Sequence, residues 1–443
     1  MNFSRLGNIF VVLIMSAVLT FGMLFAMKKS RITFAVQPAA VSIAQNETIN
    51  ETAIVEPGVP QPPPPPQKLS NPPEIIKAVY VTGYSAGSKR YLNYLTNLFE
   101  TTEINAVVID IKDYSGLVSY KSDAPEVKKY NLYNGAIYDI NALVEFLHKQ
   151  NIYVIGRIAV FEDPGYSRAR PELAVYNKEK TLLQSSSEAV AAGQVNLVKP
   201  ILWKDNKGLS WMDPASKEVW DYNISIAKDV LAHGFDEINF DYIRFPSDGN
   251  TSNIGFPIYD GQNSLPTGRQ AKAEIIKEFF IYLRSQLQDE KISVDLFGLT
   301  TVKTDDLGVG QIIEDAFLNF DYVSPMVYPS HYANGFIGFA NPAEYPYEVV
   351  KYSMNGAKNR ETAFLNNISE ATGSPAAESK SLDPVIKLAK FRPWLQDFDM
   401  GADYTAEMVR REIKATQDSL GGDYVGFMLW SPSNIYTQDA IIK

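Results

Sequence analysis

No cysteine occurs among the 443 residues, and histidine occurs only three times, at His148, His233 and His331. The first absence rules out a disulfide framework, a thiolate-bound metal, a cysteine nucleophile and a lipid-modified cysteine. The second removes the multi-histidine centres used by metalloproteases and amidohydrolases. No catalytic metal or other cofactor is therefore expected, and the carboxylates that remain suit a structural Ca²⁺ better than a hydrolytic Zn²⁺. Positive charge is also short. Against 51 Asp and Glu there are 41 Lys and Arg, a net charge of −10, which is the wrong sign for a nucleic-acid partner. Core material is plentiful, with 45% hydrophobic and 12% aromatic residues, enough for a large folded domain.

Residues 9–27, IFVVLIMSAVLTFGMLFAM, contain no charge and match the length of a bilayer-spanning helix. Lys28, Lys29 and Arg31 follow at once, where a cleavable signal would place small residues, so 1–31 reads as an uncleaved signal-anchor. Only Arg5 precedes the segment, which runs against the positive-inside tendency, but a large translocated domain overrides short-loop charge. The expected location is the cell membrane, single-pass, with the folded domain on the extracytoplasmic side. Residues 32–73, with the proline run at 62–66, cannot bury a core and favour the extended polyproline II form, so they read as a spacer. The remainder, 74–443, is the folded domain.

Within that domain one pattern repeats: a short β-branched and aromatic run, a polar break, then helical spacing. The runs fall at 77–84, 106–113, 153–161, 237–246, 292–301, 322–330, 390–398 and 424–432. Helices are expected between them, among others at 140–150, at 214–233 with Asp213 as N-cap, at 271–288, and at 406–420 with Thr405 as N-cap. Eight such units define an α/β fold, a single (β/α)8 TIM barrel. A doubly wound open sheet is the alternative, but the turn after the first strand, VTGYSAGS, lacks the glycine spacing of a phosphate-binding loop.

In such barrels chemistry sits at the C-terminal ends of the strands. The polar residues there are Tyr84, Asp110, Lys112, Asp113, Glu162, Asp163, Asn239, Asp241, Arg244, Asp295, Tyr328, His331, Asp397 and Trp430. Strand four alternates Glu237, Asn239 and Asp241 with Ile238, Phe240 and Tyr242, and the apolar set belongs against the helices, so Asp241 points into the barrel. By the same alternation Asp295 sits on the neighbouring strand at similar height. Two carboxylates facing one substrate can divide acid and nucleophile or base roles in glycoside hydrolysis, and Asp110 adds a supporting charge. The catalytic candidates are thus Asp241, Asp295 and Asp110. The substrate-binding candidates are Tyr84, Lys112, Arg157, Asn239, Arg244, Tyr328, His331, Trp394 and Trp430, since sugar faces stack on aromatic rings and sugar hydroxyls pair with polar groups. Trp203 and Trp211 are further aromatic candidates for the groove.

The segments WMDPASKEVWDYN (211–223), GFDEINFDYIRFPSDG (234–249), SVDLFGLTT (293–301) and SPMVYPSHY (324–332) resemble the family described as a putative glycosyl hydrolase domain, a relative of the alpha-amylase-like barrels. The resemblance spans essentially 77–432. It implies a glycoside hydrolase barrel in which Asp241 takes the nucleophile position. Amylase-type enzymes carry a Glu acid/base at the end of strand five, where this chain has Asp295, and an Arg two residues before the nucleophile, where it has Asn239. The leading expectation is a membrane-tethered hydrolase of a cell-surface or envelope polysaccharide. A non-catalytic carbohydrate-binding barrel and a polysaccharide deacetylase are the alternatives. The first is distinguished by whether Asp241 and Asp295 approach within the roughly 5–10 Å that two-carboxylate hydrolysis allows.

Overall fold

The computed structural model describes residues 64–181, 200–261, 269–372 and 387–443. The expected membrane segment at 9–27 and the linker as far as residue 63 lie outside these residues. Among the described residues no helix is long and apolar enough to cross a membrane.

Eight parallel strands close into one barrel: β1 (Ile76–Val81), β2 (Ala106–Lys112), β3 (Tyr153–Ala159), β4 (Glu237–Asp241), β5 (Ile292–Phe297), β6 (Tyr322–Met326), β7 (Lys390–Phe391 with Trp394–Gln396) and β8 (Gly426–Trp430). They neighbour one another in chain order, and β8 returns to β1 from Ile76↔Gly426 to Val79↔Leu429. Pro393 interrupts β7 because proline has no N–H to give to a ladder, yet its carbonyl still accepts from Met428 N at 2.9 Å. Every residue of β2 is buried, as expected for a strand covered on both faces.

The outer layer comprises α1 (Lys89–Thr101), α2 (Ile140–His148), α3 (Lys217–Ala232), α4 (Arg269–Gln286), α5 (Ile313–Ala316), α6 (Pro346–Thr372) and α7 (Ala406–Leu420). Asp139, Ser216 and Thr405 cap α2, α3 and α7, each accepting a hydrogen bond from a backbone N–H three residues on. The expected cap at Asp213 is corrected: α3 starts later, and the Asp213 carboxylate accepts from Ala215 N at 2.9 Å, Ile258 N at 2.7 Å and Tyr259 N at 3.0 Å, tying two rim loops together. The unit after β5 also departs from the repeat. Leu307, Gly308 and Gly310 adopt left-handed φ, and only one 3₁₀ turn, Gly298–Thr301, precedes the short α5.

Two apolar layers result. One lies between strands and helices, and a smaller one fills the barrel interior with Ile76, Ala78, Tyr80, Val108, Tyr153, Ile155, Trp394 and Met428. Toward the N-terminal ends of the strands the interior also holds polar groups. Glu237 and Arg392, both fully buried, form an ion pair, with Ser293 Oγ donating to Glu237 at 2.6 Å and the guanidinium 4.1 Å from the Tyr322 ring centroid. Leu69 packs on the inner cluster while its N–H donates to Asp236 Oδ1 at 2.7 Å, so the chain just before β1 is seated on the barrel. At the opposite end an antiparallel ribbon, Tyr176–Asn177 with Ile254–Gly255, joins the loops that follow β3 and β4.

Candidate active site

The strand ends converge on one guanidinium. Arg157 projects from β3, donates to Asp110 Oδ1 on β2, and donates to Asp241 Oδ2 at the end of β4 at 2.5 Å. Its Nε lies 3.8 Å from Asp295 Oδ2 on β5. Because Asp241 and Asp295 both contact this single planar group, their nearest oxygens stand no more than about 9 Å apart, below the upper limit of the two-carboxylate range. Tyr80 on β1 donates to the other oxygen of Asp110, and Asn239 donates to Asp295 Oδ1 at 2.8 Å and to Ser293 Oγ at 3.0 Å. The register sets Arg157 directly beside Asn239.

The carboxyls differ in their surroundings. Burial pushes Asp295 well above the ordinary carboxylate range, and the Asp241 charge adds to that rise, while Arg157 and the Asn239 amide work against it. The Trp394 indole lies near enough to favour the charged form, but no hydrogen bond joins them, and Asp295 Oδ2 has no hydrogen-bond partner. Burial also raises Asp110, against the pull of Arg157 and Tyr80. Asp241 Oδ1 accepts from the N–H of Tyr242 at 2.5 Å, a close turn made with Tyr242 in the left-handed region at φ 55°. A non-glycine residue held there is strained, and it redirects the chain out of β4 so that Arg244 follows at the rim. Arg244 packs its guanidinium 4.7 Å from the Trp211 ring centroid and 4.9 Å from that of Phe297.

An aromatic wall stands across the mouth. Tyr328, after β6, lies 5.3 Å from Trp430 at the end of β8, and Phe398, after β7, lies 4.8 Å from Trp430. The His331 ring sits 5.1 Å from Tyr328, and burial against this wall lowers its pKa. Phe398 is absent from the sequence-based candidates; its place one residue past Asp397 at the end of strand seven was the available signal.

Other candidates are placed elsewhere. Lys112 is not brought to the cluster: a register irregularity between Asp110 and Lys112 turns it to the outer face, where it is fully buried, 2.6 Å from Asp163 and 5.0 Å from the Tyr222 ring centroid. Trp394 lies inside the barrel edge-on to Tyr80, and Trp203 and Trp211 are packing residues. Tyr84 is 66% exposed on the rim and makes no hydrogen bond to Asp110, Asp241 or Asp295. Glu162, on the strand-end shortlist but with no role assigned there, is only 3% exposed, and its Oε1 has no hydrogen-bond partner. Among the described residues no group of three or more His, Asp or Glu is arranged to hold a metal ion.

A closed parallel barrel with a carboxylate cluster at its C-terminal rim places the chain among the (β/α)8 hydrolase-type barrels. The chain belongs to the family described as "Putative glycosyl hydrolase domain", whose model matches residues 78–436. No curated protein matches it. Among solved structures it is similar to the glycoside hydrolase domain of PgaB (BpsB) from Bordetella bronchiseptica, with a TM-score of 0.54 and 13% identity over 83% of this chain and 99% of that one. It is also 37% identical to a hypothetical protein from Ruminiclostridium thermocellum, over 49% of this chain and 96% of that one, with a TM-score of 0.39. An alpha-galactosidase from Thermus thermophilus gives 12% identity and a TM-score of 0.45 over 84% of this chain and 61% of that one. The family match makes the chain a glycoside hydrolase-type barrel.

Proposed function

We propose that the protein hydrolyses O-glycosidic bonds of a cell-surface or envelope polysaccharide, with Asp241 as the carboxylate that meets the anomeric carbon. The observation that carries this reading is the cluster of Asp110, Asp241 and Asp295 around one arginine in the mouth of a barrel of this family. As the glycosidic bond breaks, positive charge develops on the sugar ring, and an oriented carboxylate in a partly water-excluded site stabilises it far better than bulk water does. Arg157 fixes the orientation of Asp241. Burial favours the neutral form of Asp295, which lowers the negative charge that the one guanidinium has to balance. The Tyr328, Phe398 and Trp430 wall offers flat apolar faces against which sugar rings stack.

The uncharged 9–27 segment and the proline-rich spacer support a membrane-tethered enzyme working at the cell exterior. Fractionation with protease protection of the full chain tests that placement: membrane association and external cleavage are expected, and a protease-shielded domain would refute it. The hydrolase reading is tested by screening the full chain for reducing ends released from a panel of envelope polysaccharides, with Asp241→Asn as control.

A further inference from the structure

Asp241 and Asp295 leave one task unfilled. Breaking a glycosidic bond requires a proton for the departing oxygen, delivered from the substrate side. Asp295, whose proton affinity burial raises, is walled in at strand level by Asn239, Ser293 and the Trp394 indole, with no exposed surface. Glu162 lies beyond the end of β3, past the level where Ala159 pairs with Asp241, and Val160 and Phe161 donate to the carbonyls of Asp241 and Tyr242 at 2.9 and 3.3 Å. The chain there bridges to Trp211, whose ring is 6.0 Å from Tyr242 and 4.7 Å from Arg244. Glu162 is thus a carboxyl past the level of Asp241, 3% exposed, whose buried Oε1 accepts no hydrogen bond from the protein.

We infer, resting on the hydrolase reading above, that Glu162 is the general acid and base of the reaction: its proton goes to the glycosidic oxygen as the bond to the anomeric carbon breaks. The electron pair of that bond stays on the oxygen, which leaves as an alcohol. Asp241 takes the leaving oxygen's place on the anomeric carbon until water attacks that carbon, frees the carboxylate and gives a proton to Glu162. The groups around it are Arg244, Tyr242 and Asp241 from the β4 exit, Asp205 and Lys207 from the loop before α3, and Tyr114 after β2. Burial pushes the Glu162 carboxyl up to about 7, with Asp205 and Asp241 adding to the rise and Arg244 and Lys207 opposing it. A group poised there both gives and takes a proton near neutral pH.

The test uses the full chain and, for a sugar found by screening aryl glycosides and oligosaccharides, two probes: a 2,4-dinitrophenyl glycoside, whose leaving group needs no proton, and the matching oligosaccharide, whose leaving group does. Glu162→Gln is expected to lose about 10²–10⁴-fold on the oligosaccharide and less than about tenfold on the aryl glycoside, with azide restoring turnover of the latter. The fall in oligosaccharide kcat/KM as pH rises past about 7 should vanish in Glu162→Gln and persist in Glu162→Asp. Equal loss on both probes, or the leaving-group signature appearing in Asp295→Asn instead, overturns the assignment while leaving the hydrolase reading intact. If the unsubstituted protein cleaves no member of the screen, the hydrolase reading falls and this assignment with it.

Discussion

At the scale of single residues, the sharpest contrast is between two cations that the sequence offers as equals. Arg157 and Lys112 both come from strands beside the carboxylates, but Arg157 bridges Asp110 and Asp241 while Lys112 turns outward onto Asp163. Burial alone pulls Lys112 down and pushes Asp163 up, and the pair persists because each charge answers the other. Lys112→Met should therefore leave Asp163 as an uncompensated buried charge and cost about 3–5 kcal/mol of stability in denaturant unfolding. The substrate KM of the surviving folded protein should stay unchanged. A raised KM with unaltered stability would return Lys112 to the substrate side. Asp241 is legible in the amino-acid sequence because the strand-four alternation alone turns it inward. Its partner is not, because pairing across strands depends on register, and the amylase comparison points to an arginine on strand four rather than on strand three.

At the scale of elements, the eight strands are readable from their β-branched runs, whereas the β2 irregularity is not, since nothing in AVVIDIK marks the step at which the inward and outward faces exchange. The stretch after β5 is harder for a different reason: its glycines break helical spacing, and only their backbone conformation shows how early the chain leaves the repeat. Where β6 begins, Asp321 gathers Arg284 at 2.9 Å, Lys387 at 2.8 Å, Lys291 at 3.2 Å and the Ile292 N–H at 3.2 Å. Burial works to raise this carboxyl, but the hydrogen bonds from Lys387 and Arg284 outweigh it and hold it below the usual carboxylate range. A depressed folded-state pKa contributes stability that is complete above the unfolded value of 3.8 and is lost as pH falls below it. Asp321→Asn should therefore lower stability near neutral pH, on the order of 2 kcal/mol, and flatten the acid limb of a Tm-against-pH curve. An unchanged acid limb would mean that these strand-bottom contacts carry no stability.

At the scale of the whole molecule, the barrel floor and the rim divide the work. The floor is held by the buried Glu237–Arg392 pair and by the segment that seats Leu69 on the inner cluster, so the folded unit takes in residues ahead of β1 that composition assigns to the spacer. A chain starting at residue 74 should still fold cooperatively but melt lower than one starting at residue 64, because Leu69 and its hydrogen bond to Asp236 are lost. Identical melting temperatures would show that the docked segment adds nothing. The rim gathers the carboxylates, with Asp241 the one proposed to react. The most direct measurement is turnover and thermal unfolding of Asp241→Asn on the same preparation, using a polysaccharide that the unsubstituted protein cleaves. Asp110 still pairs with Arg157 in that variant, so the melting temperature should hardly move while kcat/KM falls by orders of magnitude. A variant that melts much earlier yet keeps most of its specific activity would show that Asp241 merely holds Arg157 in place and would contradict its assignment as the reacting carboxylate.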